Sequence, residues 1–261
     1  LEIASTVMLG QSPLYNHDGS VFRELPYVGS EYSETNNTSE ASLTSMSNNP
    51  SFGDLDGDGS PEFFAGGAGT FYLLSLPLIS AYDYQHVAAA WSGATGEFMP
   101  GWPRQIEDLQ FLVAPAVADV SGDGKPEAIF GSAGYMLYAW DGTGQLAEGW
   151  PHFTGNWLLG SPAVGDIDGD GYVEVVASSR EGHLFAWHTK GRADQAIQWG
   201  SIHHDPRNTG NWHTPIEKQV GPPDVAEECA EGECCCQSTE AGMLMGWMAG
   251  LSALFGRRRR A

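Results

Sequence analysis

Short runs of β-branched and aromatic residues dominate the hydrophobic pattern of the chain, and long amphipathic periods are nearly absent. The clearest example reads SPAVGDI, YVEVVASS and HLFAWHT between residues 161 and 189, with a turn at 180–182. A fourth, outer strand is expected near residues 195–201. Because such runs separated by Gly, Pro and Asn are typical of strands and tight turns, the pattern predicts an all-β fold.

The same unit recurs three times along the chain. Each copy begins with an acidic loop, continues through a β-rich run and an aromatic strand, and ends near a Trp. The loops read FGDLDGDGSPEFF, VADVSGDGKPEAIF and VGDIDGDGYVEVV, starting at Phe52, Val117 and Val164. Ordered recurrence at this spacing is typical of repeat folds. Since each unit offers about four short strands, the repeats predict the blades of a β-propeller.

The recurrence also divides the chain into segments. Because propellers close their ring with about four blades or more, we expect these to be the C-terminal blades of a longer chain. The predicted segments are the end of a preceding blade with a loop (1–42), three propeller repeats (43–108, 109–153 and 154–213, the last with a closing segment), an acidic linker (214–240) and a membrane segment (241–261).

The acidic loops carry alternating oxygen donors of the kind that a calcium site requires. Calcium takes about six to eight oxygen ligands, and the glycines at loop positions 4 and 6 permit a tight turn. The sequence therefore predicts about three calcium sites. Positions 1, 3, 5, 7 and 9 are the expected ligands, with position 7 offering its backbone carbonyl: Asp54, Asp56, Asp58, Ser60 and Glu62; Asp119, Ser121, Asp123, Lys125 and Glu127; and Asp166, Asp168, Asp170, Tyr172 and Glu174.

Other interpretations of the loops are less favoured. A helical calcium hand needs a bidentate Glu at position 12, where this chain has Ala65, Phe130 and Ala177. Magnesium prefers a strict octahedron with several waters, and a solvated Asp/Gly turn would explain one loop better than three in register. Because affinity follows ligand charge, the neutral Ser121 predicts that the second site binds calcium most weakly.

The units resemble the FG-GAP repeats of integrin-alpha-type (VCBS-like) proteins, and the resemblance covers about residues 43–212. It implies a calcium-binding β-propeller, of seven blades when complete, with each loop in the hairpin between the first two strands of a blade. The matched ligand positions are those given above. Ser121 departs from the pattern, because it is a neutral ligand in the place of an Asp.

The charge balance narrows the class of partner. The chain has 12 Lys+Arg against 33 Asp+Glu, a formal net charge of -21. Binding to nucleic acid is excluded because a phosphate backbone needs a basic surface. Since an excess of carboxylates repels itself in a compact state, the composition favours divalent cations as a partner, with a merely soluble acidic surface as the alternative.

Aromatic and histidine residues outside the loops admit both structural and binding roles. Two series of tryptophans recur at equivalent positions and are interpreted as packing between blades, with a carbohydrate platform as the alternative. The strings around them also resemble quinone-dependent dehydrogenase propellers, without a cofactor cage. His203, His204 and Asp205 are interpreted as part of a segment that completes the last blade rather than as a metal or acid/base cluster. The two tryptophan series are Trp102, Trp150 and Trp199, and Trp91, Trp140 and Trp187.

The C-terminal tail carries a different kind of signal. All four cysteines lie in the acidic linker, and the tail continues into the apolar stretch AGMLMGWMAGLSALF and four arginines, 257–260. The apolar stretch predicts a short transmembrane helix, although 15 residues are few for a stable span. We expect the arginines that follow it to stay in the cytoplasm. The combination resembles the MYXO-CTERM sorting signal, which implies processing by a sortase-like enzyme and anchoring at Cys234, Cys235 and Cys236. A plain tail anchor and zinc binding by the cysteines are the alternatives.

Together these features predict a calcium-binding propeller at a bacterial cell surface, on the outer membrane or outside the cell. Its expected role is adhesion or interaction with an unknown protein or glycan ligand, without catalysis in this region. The alternative is an accessory propeller of a secreted exoenzyme, such as a protease, glycosidase or polysaccharide lyase, whose catalytic part lies upstream. Lyase chemistry needs a basic group near an acidic sugar, and the low Lys/Arg content argues weakly against it.

Overall fold

The structure of the chain is a computed structural model that describes residues 3–4, 13–25, 44–45, 49–69, 86–108, 110, 113–195 and 197–222. These residues form fifteen β-strands and no helix, in sheets that are antiparallel throughout. The predicted all-β class is therefore confirmed. Within the described residues, no helix is long and apolar enough to cross a membrane. The predicted membrane segment 241–261 and the four cysteines of the predicted linker lie outside the described residues.

The strands form four sheets in chain order. The N-terminal sheet contains β1 (Ile3–Ala4), β2 (Pro13–Tyr15) and β3 (Val21–Glu24). The first repeat sheet contains β4 (Thr44–Ser45), β5 (Ser51–Gly53), β6 (Glu62–Gly69), β7 (Val87–Trp91) and β8 (Arg104–Gln105). The second contains β9 (Ala116–Ala118), β10 (Glu127–Gly131), β11 (Met136–Trp140) and β12 (His152–Phe153), and the third contains β13 (Ala163–Gly165), β14 (Tyr172–Ser178) and β15 (Leu184–Arg192).

The three repeat sheets share one plan. A three-residue strand (β5, β9 or β13) leads into the acidic loop, and the longer strand after the loop (β6, β10 or β14) pairs back onto it. The third strand then pairs with the second, and in the first two repeats a two-residue strand pairs with the third. Each acidic loop is thus the connection of a tight hairpin between the three-residue strand before it and the longer strand after it.

Among the described residues, the largest buried hydrophobic cluster lies between the first and second repeat sheets, and smaller clusters join the N-terminal sheet to the first repeat and the second repeat to the third. All five residues of β7 and of β10 are buried, because apolar side chains cover both faces of these strands. Trp102 joins the two sheets: its ring lies 6.4 Å from that of Phe64, 6.3 Å from that of Phe130 and 5.8 Å from that of Trp140. Burying large aromatic rings contributes strongly to such contacts. Trp102 therefore packs between repeats, as expected.

The end of the third repeat differs from the expectation. Residues 195–201 contain no outer strand in their described part; Trp199 instead bridges to Val117 of β9, and Val164 of β13 donates its N–H to the carbonyl of Gly200. Trp199 is therefore not equivalent to Trp102 and Trp150. A proline without an N–H follows those two residues, whereas Gly200 follows Trp199 and donates its N–H to His204.

Candidate metal centres

The first residue of each acidic loop organises the turn. Asp54 accepts hydrogen bonds from the N–H groups of Gly57 and Gly59 through its two oxygens, at 2.8 and 3.0 Å. Asp119 and Asp166 hold the corresponding glycines at 2.6 to 3.0 Å. Both glycines of each loop have φ between 79° and 91°, a conformation that a Cβ would strain. The glycines are thus required by the turn that gathers the carboxylates.

The ninth residue of each loop is a glutamate that lies beneath the turn. One oxygen, Oε2, accepts the N–H of the second loop residue in every copy: Leu55 at 2.7 Å, Val120 at 2.8 Å and Ile167 at 2.9 Å. These glutamates are buried, and each lies at or near the start of the longer strand that follows its loop: Glu62 and Glu127 begin β6 and β10, and Glu174 is the third residue of β14. In the first two loops the other oxygen, Oε1, is left for a ligand, whereas in the third loop Oε1 of Glu174 lies 2.8 Å from His188 Nδ1.

The structure brings most of the predicted ligands together. In each loop, one donor atom of every cluster member lies within 4.8 Å of the others. We name these sets the first-, second- and third-loop clusters: Asp54, Asp56 and Asp58; Asp119, Asp123 and Glu127; and Asp168, Asp170, Glu174 and His188.

Some predicted ligands stand apart from these clusters. Glu62 is outside the first-loop cluster, and Asp166 is outside the third-loop cluster. Ser121 stays in the second loop, where its hydroxyl lies 3.5 Å from Asp119 Oδ1. The position 7 residues donate their N–H to the aspartate at position 5, from Ser60 at 2.7 Å, Lys125 at 2.8 Å and Tyr172 at 2.9 Å.

The buried glutamates of the first two loops are electrostatically unusual. Glu62 is 0% exposed, and its Oε1 has no hydrogen-bond partner within the described part of the chain. Burial, and then repulsion from the loop aspartates, raise the pKa of Glu62 to about 7. Burial also raises the pKa of Glu127 to about 7. Each buried carboxyl therefore lies beside negative charge, an arrangement that a bound cation would stabilise.

His188 is a functional candidate that the sequence reasoning missed. It lies on β15, directly opposite Glu174 of β14, and its Nδ1 is 2.8 Å from Glu174 Oε1 and 3.7 Å from Asp170 Oδ2. The hydrogen bond to Glu174 raises the pKa of His188. The register of the predicted hairpin is the signal that could have found it. In an antiparallel pair with Trp187 opposite Val175, the next residue, His188, lies opposite Glu174.

Two glutamines hold the loops from outside. Asp54 donates its N–H to Gln198 Oε1 at 2.6 Å, and Asp166 donates its N–H to Gln219 Oε1, also at 2.6 Å. In both cases the glutamine Nε2 donates back to the carbonyl of the same aspartate. The segment containing Gln219 belongs to the compact unit, which extends to Pro222 and so includes the first residues of the predicted linker.

The neighbouring repeat approaches each of the first two loops closely. A Cβ on Gly142 of the second repeat would meet the carbonyl of Leu55 at 2.8 Å, and a Cβ on Gly191 of the third repeat would clash with the carbonyl of Asp119. These glycines let one repeat pack directly against the loop backbone of the repeat before it. The position of a loop therefore depends on its neighbour.

The segment that contains His203, His204 and Asp205 is held in place by hydrogen bonds. His204 and Asp205 are buried, and one oxygen of Asp205 accepts the N–H groups of Arg207 and Thr209. Its other oxygen accepts the Thr209 hydroxyl at 3.1 Å. Burial alone would raise the pKa of Asp205, but the hydrogen bonds from Thr209 and Arg207 outweigh it and lower the pKa. Because these oxygens already have partners, the segment serves as a turn.

Comparisons with known proteins leave the family open. No protein family and no curated protein matches the chain. Among solved structures, the chain is similar to the computationally designed Ika4 protein, at 14% identity and a TM-score of 0.40, over 72% of this chain and 85% of that one. It is similar to the V. cholerae biofilm matrix protein Bap1, at 22% identity and a TM-score of 0.39, over 59% of this chain and 26% of Bap1, so it spans well under two thirds of that protein.

Proposed function

We propose that this chain is a calcium-binding interaction module whose acidic loops hold calcium as a structural ion. The observation that carries the proposal is Glu62, a fully buried carboxyl with one unpartnered oxygen beside three loop aspartates. An uncompensated buried charge is costly, and a divalent cation offsets that cost by accepting the free oxygen as a ligand. The first-loop cluster supplies the other carboxylates.

Calcium suits the donors of the first two loops best. The donors offered are carboxylates, a hydroxyl and backbone carbonyls, all of them hard oxygen ligands, and calcium accepts such sets with irregular geometry. Magnesium would require near-octahedral order and would retain several waters. Because each loop offers many anionic oxygens, calcium can be coordinated by more of them than magnesium can.

We further propose that the repeat sheets are blades of an FG-GAP type β-propeller. The support is that the first strands of successive repeats lie side by side: the Ser51 hydroxyl donates to the carbonyl of Pro115 at 2.6 Å, and Ala114 donates its N–H to the Ser161 hydroxyl at 2.7 Å. Each repeat also packs against the loop of its predecessor through Gly142 or Gly191. Sheets joined along their first strands are the arrangement expected of neighbouring blades.

Calorimetric titration of the calcium-free chain with calcium tests the metal proposal. We expect about three sites, with one site lost in each of the variants Asp54→Ala, Asp119→Ala and Asp166→Ala. Asp141→Ala is the matched control, because Asp141 caps a turn through Thr143 and Gln145 and belongs to none of the three clusters. Absence of calcium binding at millimolar concentration, or equal losses in Asp141→Ala and the loop variants, would overturn the proposal.

We also propose that the chain binds a protein or glycan ligand and that it is located at the cell surface. A calcium-stabilised array of rigid sheets suits contact with a protein or glycan, and we expect binding to an array of glycans or surface proteins to disappear in EDTA and return with calcium. Cleavage and anchoring near Cys234–Cys236 are tested by mass spectrometry of the protein isolated from its native surface. Retention of residues 241–261 would contradict processing.

A further inference from the structure

The third loop differs from the first two in chemistry as well as in sequence. Its cluster includes an imidazole from a neighbouring strand, whereas the residue at the equivalent place, directly after the aromatic residue of the third strand, is Ser92 in the first repeat and Asp141 in the second. Asp141 is turned into its own loop, where it accepts the N–H groups of Thr143 and Gln145. Within the described residues, the third-loop cluster is therefore the one with a nitrogen donor.

The distances in this cluster fit donors around one small ion. Two donors bound at about 2.1 Å lie about 3.0 Å apart at a right angle and about 3.4 Å apart at the tetrahedral angle. His188 Nδ1 lies 2.8 Å from Glu174 Oε1 and 3.7 Å from Asp170 Oδ2. Calcium binds at about 2.3–2.6 Å and prefers oxygen, so a close imidazole is unfavourable for it.

The ring of His188 is both accessible and oriented. Its side chain is 54% exposed, so an ion can reach it from solvent. The ring of Tyr172 packs edge-on against it at 5.6 Å, and Glu174 fixes the Nδ1 side toward the carboxylates. An oriented imidazole loses little freedom when it takes a metal ion.

An ion pair of His188 with Glu174 does not by itself neutralise the negative charge of the third loop. One imidazolium would offset one of the three carboxylates in the cluster, and Asp166 adds a further carboxylate to the same loop. The remaining negative charge favours a divalent cation, and a mixed set of imidazole and carboxylates is the kind that first-row transition metals accept.

We propose that the third-loop cluster binds a divalent first-row transition-metal ion, through Nδ1 of His188 and the cluster carboxylates, in preference to calcium. This inference rests on the proposed function of the acidic loops as metal sites. It assigns the third loop a different preferred ion from the first two, so that calcium fills this loop only when the transition metal is absent. The chain would then combine calcium-dependent loops with one loop that responds to a transition metal.

Mn²⁺ is the probe that tests the proposal, because it is paramagnetic and can occupy oxygen-rich loops and mixed sites alike. We expect pulsed electron paramagnetic resonance of the Mn²⁺-loaded chain to show coupling to an imidazole nitrogen. Added calcium should displace Mn²⁺ from the first two loops and leave the nitrogen-coupled ion in place. His188→Ser, which restores the residue type of the first repeat, should remove the coupling and weaken Mn²⁺ binding at one site about tenfold or more.

His183→Ser is the matched control, because His183 is exposed, immediately precedes the same strand and lies outside the cluster. It should leave the coupling unchanged. Calcium filling three loops with no nitrogen coupling, or equal displacement of Mn²⁺ from all three, would overturn this inference and leave the calcium proposal standing. A chain that binds neither ion in its loops would overturn both.

Discussion

At the scale of single residues, the buried loop glutamates connect metal binding to pH. The pKa values of Glu62 and Glu127 are raised to about 7 from the ordinary 4.5. A carboxyl with a higher pKa in the folded than in the unfolded chain contributes stability that is fully present below pH 4.5 and is lost as the pH rises to about 7. Binding of calcium requires the ionised form, so protons and calcium compete for the same groups.

We therefore expect the melting temperature of the calcium-free chain in EDTA to fall as the pH rises from about 4.5 to 7. Saturating calcium should oppose the fall, most strongly above pH 7. The variant Glu62→Gln should flatten the profile in EDTA, while Glu97→Gln, at an exposed position, should leave it unchanged. Thermal unfolding followed by circular dichroism makes the measurement. A profile in EDTA that stays level or rises over this interval would contradict the account.

Ser121 supplies a second prediction at this scale. It is the neutral member among the predicted side-chain ligands, and its hydroxyl lies next to Asp119 Oδ1. Ser121→Asp should tighten calcium binding at the second loop about tenfold, because affinity rises with ligand charge. Calorimetry against Gln145→Glu, which adds the same charge at an exposed position of the same repeat, separates a ligand effect from a general charge effect. Equal tightening in both variants would count against a ligand role.

At the scale of elements, the turns could be predicted from sequence because they are local. The glycines and the first aspartate that build each turn lie within six positions of one another, so the repeat alone indicates them. His188 depends on a strand register, while Gln198 and Gln219 reach the loops from 144 and 53 residues away. Local patterns carry no information about such contacts. The bridge between Trp199 and Val117, which sets Trp199 apart from Trp102 and Trp150, is likewise a contact with another repeat.

Gln219 tests whether the distant contacts matter. Its amide satisfies both the N–H and the carbonyl of Asp166, at 2.6 and 3.0 Å. Gln219→Ala should lower the free energy of unfolding by about 1 kcal/mol and weaken metal binding at the third loop alone, because the start of the turn loses its support. Urea unfolding and metal titration measure the two effects, with the exposed Gln145→Ala as control. Unchanged stability together with unchanged metal affinity would show that the glutamine does not support the loop.

At the scale of the whole molecule, the negative net charge and the acidic loops both favour the binding of cations. A chain with a formal charge of -21 repels itself when compact, and clustered carboxylates concentrate that repulsion where the hairpins turn. Because Gly142 and Gly191 pack one repeat against the loop of the repeat before it, a bound cation should stabilise the contact between repeats as well as its own turn. The composition favours divalent cations, and the packing indicates which contacts a bound cation would stabilise.

The position of the ion is the most direct test of the central claim that the acidic loops hold calcium. A crystal structure of the chain grown with calcium as the sole divalent cation, with anomalous data collected at long wavelength, locates the ion independently of any affinity. We predict anomalous peaks inside the turns of the three loops, with Glu62 Oε1 and Glu127 Oε1 among the ligands of the first two. Loops without a peak at saturating calcium, with Glu62 Oε1 still unpartnered, would contradict the account.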